Sequence, residues 1–348
     1  MSELQDNNVT QGQVDELKKN LKKIPEDMRE VSLSFRALYS DQAVGGNSDA
    51  AVKFRKIRDD TRQDAMVYLK CVLPETTNFI RSIKEYFENY EGLKYKNWCE
   101  MLPDILENTK TQGDIATQVL GMHKTIMNSL KIRQTEAKDI MEELTSKCKD
   151  EEREYEDQHK EGSVTTNNGE KNTTGYMPDF VKKIFSPSSH GRSTPEKKAR
   201  VVASTTNYEI NRNAVQIAVE NLIPALSRFI DGLQNVAQFF QVILEELESF
   251  EDSTKEKKKC HYDVITNSVR QIKSLCNAFF KVLPAVSSDF EALPSEDTDQ
   301  NYVDKWLEKT LAKKSASQEH SEQESEHQKT PPPPYGQDRP KFKQISSV

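Results

Sequence analysis

The stretch ATQVLGMHKTIMNSLKIRQTEAKDIMEEL, residues 116–144, decides the fold. Ala116, Val119, His123, Ile126, Leu130, Arg133, Ala137, Ile140 and Leu144 follow one another at alternating steps of three and four. Leu120, Met127 and Met141 widen that seam on one side. A sustained repeat near 3.5 residues keeps one stripe turned toward a partner helix, so the spacing predicts a long coiled-coil-like helix. The helical pattern extends from about Asp104 to Lys160, roughly 80 Å at the rise of an α-helix. A rod of that length needs other long helices beside it. His123, a polar residue on the seam, reads as a register setter rather than a ligand or catalyst.

Those other helices are legible on both sides. Residues 1–12 are polar and expected to be unordered. From Val14 to about Tyr39, Leu17, Leu21, Ile24, Met28, Val31, Phe35 and Leu38 form a helical stripe that Pro25 is expected to kink or divide. The turn at 43–49 offers Ser48 or Asp49 as N-cap for a helix from about Ala50 to Tyr90, with a break expected near Leu73 because Pro74 follows. Tyr208 to Phe250 is the most apolar segment. No charged residue lies between Gly232 and Leu244, which predicts a place in the middle of a bundle, and Pro224 should bend that helix. Ser253 or Thr254 can cap the next helix, which Pro284 is expected to end. A short helix, Asn301 to Lys314, follows.

The fold class read from this pattern is all-α: an elongated bundle of about five long kinked helices with coiled-coil-like packing. Residues 13–160 form its first half and 207–314 its second. A polar and basic insertion at 161–206 separates them, and residues 315–348 are a tail too polar to offset the entropy of ordering.

Composition excludes several alternatives. The chain has 348 residues, a formal charge of −7, 35% hydrophobic and 30% charged residues, and a mean hydropathy of −0.79. Twelve glycines and 14 prolines are too few for the turns of a β-sandwich or barrel. No run of about 18 uncharged apolar residues predicts a membrane-spanning helix. The opening MSELQDNNVT lacks the basic and apolar regions of a secretory signal. Five cysteines without a CxxC or zinc spacing read as free thiols, and no metal site is expected. The acidic balance argues against nucleic acid as a partner. No glycine-rich phosphate loop, HExxH or GxSxG occurs, and the six histidines are scattered. The expectation is therefore no enzyme, no catalytic residues and no cofactor.

Two segments carry recognition chemistry. In the insertion, Phe180, Val181, Ile184 and Phe185 share one face of a short amphipathic element, with Lys182 and Lys183 opposite and further basic residues following. Apolar anchors beside a basic cluster suit an anionic membrane surface. The same apolar face could instead dock on the bundle. Ser186 and Thr194 each precede proline, and phosphate there would weaken anionic-lipid binding. In the tail, Pro331–Tyr335 contains the PPxY pattern, in which Pro332, Pro333 and Tyr335 would occupy the aromatic grooves of WW-domain proteins. The ending Ile345-Ser346-Ser347-Val348 fits a ligand for PDZ-domain proteins, with Ser346 and Val348 as its reading positions.

On helix pattern, residues 14–314 resemble two families of membrane-active proteins. One is the BAR superfamily, in which three long kinked helices form a banana-shaped dimer; the kinks at Pro74 and Pro224 and the seam from Ala116 to Leu144 are similar. The other is the α-helical pore-forming toxins of the cytolysin A type, bundles of very long helices with a membrane head between two of them. The order of long helices, an insertion at 161–206 and the apolar helix Leu222 to Phe250 is similar. The insertion departs from that pattern, carrying only Tyr176 to Phe185 as an apolar element and not a hydrophobic hairpin. The sequence thus predicts a cytoplasmic, non-enzymatic scaffold, peripheral to membranes, that recruits WW and PDZ partners and can self-associate as a homo-oligomer. The competing reading is a pore-former that oligomerises in the bilayer.

Overall fold

A computed structural model describes residues 3–38, 49–160 and 217–310, and every regular element among them is helical. Helix α1 spans Glu3–Leu38 and α2 spans Asp49–Val67. A π-helical turn, Tyr68–Val72, leads from α2 into α3, Leu73–Glu88. The short α4, Tyr95–Glu100, precedes α5, Leu102–Lys160, which contains the seam. A second π-helical turn, Ile217–Leu222, enters α6, Ile223–Glu248. After a 3₁₀ turn comes α7, Lys255–Glu291, and then α8 at 299–310. Thr254 is the N-cap of α7, its side chain accepting from the Lys257 amide.

Two expectations, the unordered residues 1–12 and the helix end at Pro284, need correction, and of the two forms expected at Pro25 the division does not occur. Residues 3–12 are helical, and Thr10 is buried. Pro25 lies inside α1 without dividing it, and Pro284 lies inside α7, which runs on to Glu291. An internal proline removes one backbone hydrogen bond and costs about 3 kcal/mol in isolation. Around Pro25 that cost is offset by Leu21, Ile24, Met28 and Val31; around Pro284, by Phe279, Val286 and Phe290, all buried. Fully burying one such side chain contributes about 1.5–3 kcal/mol.

The breaks expected at Pro74 and Pro224 take a specific form. The Leu73 amide bonds back five residues to the Tyr68 carbonyl. The π-turn inserts one extra residue and hands over to a fresh helix in which Pro74 sits in the first turn, where its missing donor is not needed. The turn Ile217–Leu222 stands in the same relation to Pro224.

The chain divides into two compact units, one drawn from 1–37, 62–130 and 221–348, the other from 38–61 and 131–220. In the first, the stripe of α1 from Val14 to Phe35 is buried, as are Phe79, Ile80 and Ile83 of α3, which packs along α7. The seam residues Ala116, Val119, His123, Ile126 and Leu130 are buried as their spacing predicts. Helix α6 buries Leu226, Phe229, Leu233, Val236, Phe240 and Ile243. Its remaining edge is open to solvent and carries Gln234, Gln238 and Gln241. Gly232 faces α1, where an added Cβ would stand 3.5 Å from Ile24 Cγ1. In the second unit, Ile140 packs against Ile57 and Met141, and Lys53 pairs with Glu143 at 3.2 Å.

Candidate functional site

The lipid-contact set Phe180, Val181, Lys182, Lys183, Ile184 and Phe185 lies outside the described residues. So do Ser186 and Thr194, the PPxY residues Pro332, Pro333 and Tyr335, and the terminal Ser346 and Val348. Among the described residues no cluster of three metal-ligating side chains occurs. Burial pushes the thiols of Cys71 and Cys260 up, and that of Cys276 to about 12, which disfavours their nucleophilic thiolate forms. What the first unit does contain is a set of polar clasps that cross its apolar core.

The first clasp ties α1 to the α6–α7 hairpin. Thr10 Oγ1 lies 2.7 and 2.9 Å from the two oxygens of Glu246, and His261 Nδ1 stands 3.1 Å from Oε2. His261 is buried between the rings of Phe250, 5.1 Å away, and Trp98, 5.9 Å away. Burial pushes the Glu246 carboxyl up, but the hydrogen bond and charge interaction with His261 and the bond from Thr10 together hold it below the usual range.

The second clasp centres on Asp289 of α7, only 1% exposed. It accepts from Ser32 Oγ at 2.7 Å and Arg36 Nη1 at 3.2 Å, and it pairs with Arg29, whose guanidinium also donates to the Ala285 carbonyl at 3.0 Å. The third holds the C-terminal helix. Arg62, 1% exposed, reaches Asp299 Oδ2 at 2.6 Å, Glu296 at 2.9 Å and the Pro294 carbonyl at 3.2 Å. Tyr302 donates to Asp64 of α2 at 2.9 Å.

The fourth clasp lies at the first π-turn. Tyr68 Oη is 3.0 Å from His123 Nε2, and His123 Nδ1 is 2.9 Å from the Val119 carbonyl. A carbonyl only accepts, so Nδ1 carries the proton, Nε2 offers its lone pair and Tyr68 donates. Tyr68 stacks on Phe290 at 5.3 Å, and His123 lies 5.0 Å from Phe229. Complete burial lowers the imidazole to about 4, so it is neutral at pH 7.

Such pairs contribute little net stability relative to apolar residues of the same volume. Separating them is costly, however, and they permit only one register. They act as locks that tie α1 to α6 and α7, α2 to α8, and the first π-turn to α5. Acid weakens at least two of them, since Glu246 and His123 must take up protons to which the fold is opposed. Of these residues the sequence signals only His123, a polar side chain at a seam position, and it gives no partner for it.

No protein-family description matches the chain and no curated protein does. Several solved structures are similar to it. Soluble SmhB of the tripartite alpha-pore forming toxin Smh from Serratia marcescens is 11% identical, with 86% of this chain and 99% of that one covered and a TM-score of 0.45. Soluble AhlB of the tripartite alpha-pore forming toxin AHL from Aeromonas hydrophila is 10% identical, with 83% and 99% covered and a TM-score of 0.44. The AhlB pore is 13% identical, with 87% and 96% covered and a TM-score of 0.32.

Proposed function

We propose that the protein acts on membranes, without catalysis, as a helical bundle that opens at a bilayer and oligomerises into a pore. The observation that carries this reading is the middle of α6. From Gly232 to Leu244 it has no charge on any face, and its one solvent-facing edge consists of glutamines. Moving an amide edge into a low-dielectric setting costs far less than moving charges, particularly when neighbouring helices supply hydrogen bonds. That stretch is about 20 Å long, shorter than a bilayer core of about 30 Å. No helix among the described residues is long and apolar enough to cross a membrane. A pore wall built from several amphipathic helices does not require one, because apolar faces meet lipid and polar faces meet water. The clasps would then keep that surface covered until a membrane is met.

Dye-loaded liposomes test the proposal. Leakage that rises with protein concentration, together with cross-linked oligomers in the membrane fraction, supports it. Binding without leakage favours the peripheral scaffold instead, with Tyr335 and Val348 recruiting WW and PDZ partners. Cosedimentation of the Lys182→Glu/Lys183→Glu variant with anionic vesicles reads the insertion's share: weaker pelleting is expected, and unchanged pelleting removes those lysines from the contact.

A further inference from the structure

One corner of the first unit has the chemistry of a cation site. Tyr95 of α4 and Tyr262 of α7 meet with ring centroids 5.4 Å apart at 63°, forming a V. Trp98 backs both rings, stacked on Tyr95 at 5.9 Å and 17° and lying 5.8 Å from Tyr262. Both tyrosines are pinned by their hydroxyls, Tyr95 donating to the Lys255 carbonyl at 3.1 Å and Tyr262 to the Leu93 carbonyl. An ammonium already occupies the corner: Lys259 Nζ lies 4.7 Å from the Tyr262 centroid and 5.1 Å from that of Tyr95. The Asp263 carboxylate completes its surroundings through an ion pair with Lys259, in which both side chains are 47% exposed. Lys259 and Asp263 also line a groove of about 670 Å³ shared with Lys255, Glu256, Gln11 and Lys18.

Aromatic faces fixed in advance and accompanied by a carboxylate are the arrangement that attracts quaternary ammonium groups. The occupying lysine is a tethered, half-exposed competitor, held by contacts that a free cation can replace. The basic residues beside the corner supply what the other half of a zwitterion requires. We propose that this corner binds a phosphocholine group, its trimethylammonium replacing Lys259 Nζ on Tyr95 and Tyr262 and its phosphate meeting Lys255. The site deepens the membrane reading by naming a headgroup, but it stands on geometry that soluble phosphocholine can probe without any bilayer.

The test titrates the full chain with soluble phosphocholine by calorimetry, and pellets the same proteins with phosphatidylcholine or phosphatidylglycerol vesicles. Saturable binding is expected in the wild type. Tyr95→Phe should retain it, Tyr95→Ala should lose it, and Lys259→Ala should tighten it about fivefold by removing the internal competitor. Phosphatidylcholine pelleting that depends on Tyr95 identifies the lipid as the source. Soluble binding without pelleting identifies the free headgroup, and both support the site. Absence of saturable binding in both the wild type and Lys259→Ala overturns the proposal, as does binding unaffected by Tyr95→Ala. Liposomes that fail to leak while phosphocholine still binds would count against the pore and leave the headgroup site standing.

Discussion

Replacing His123 by glutamine tests the fourth clasp through its pH dependence. The imidazole is fully buried, and both its nitrogens have neutral partners, the Tyr68 hydroxyl and the Val119 carbonyl. Its folded value of about 4 lies below the unfolded value of 6.5. The sign follows directly: between those values the unfolded chain binds a proton that the folded chain refuses. The stabilising contribution is therefore complete above the unfolded value and declines as the pH falls through the folded one. Linkage puts the loss at about 2 kcal/mol by pH 5 and about 3 kcal/mol by pH 4. Glutamine can still accept from Tyr68 and donate to a carbonyl but does not titrate, so His123→Gln should cost about 1 kcal/mol at pH 7. Urea unfolding followed by far-ultraviolet circular dichroism at pH 7.5 and pH 5 gives the comparison. The wild type should lose about 2 kcal/mol more than the variant across that interval. Equal losses in the two proteins would refute the assignment of a neutral, buried imidazole.

Three further outcomes follow from the packing and the tail. Arg62→Met leaves Asp299 buried without its main partner, so a loss of about 3–5 kcal/mol is expected, with limited proteolysis cutting first near residues 294–310; protection of that segment equal to wild type would contradict the clasp. Gly232→Ala places its Cβ in ordinary contact with Ile24 and removes a helix-interior glycine, so the urea midpoint should rise by an amount worth about 0.5–1 kcal/mol; a lower midpoint would show that α1 and α6 cannot accommodate the methyl. A peptide covering residues 328–348 should capture WW domains in a Tyr335-dependent manner and PDZ domains in a Val348-dependent one, and capture that survives Tyr335→Ala or Val348→Ala would remove that motif.

The long helices are legible because a seam is a periodic signal: Ala116 through Ile140 need only spacing to be assigned to one face, and all of them but the half-buried Arg133 are buried. Proline is an ambiguous signal in this chain. Pro25 and Pro284 look identical to Pro74 and Pro224 in local sequence terms, yet helix continues through the first two and is remade at the others. The difference depends on tertiary burial around each, which propensity does not contain. Thr10 was lost in a polar run for the same reason, since its reason for ordering, Glu246, lies 236 positions away. The clasps and the tyrosine corner depend on pairs from distant segments, such as Arg62 with Asp299 or Tyr95 with Tyr262. A single sequence shows each member as an ordinary surface or seam residue and leaves the pairing unspecified.

The π-turn Tyr68–Val72 sets how α2 and α3 are phased. One surplus residue in a helical path turns everything beyond it by about 100°, so α2 and α3, though end to end, show their neighbours different sides. Excising a single residue from 68–72 would bring the two stretches back into step, and in doing so swing Phe79, Ile83 and Phe87 out of the core while every residue kept its identity.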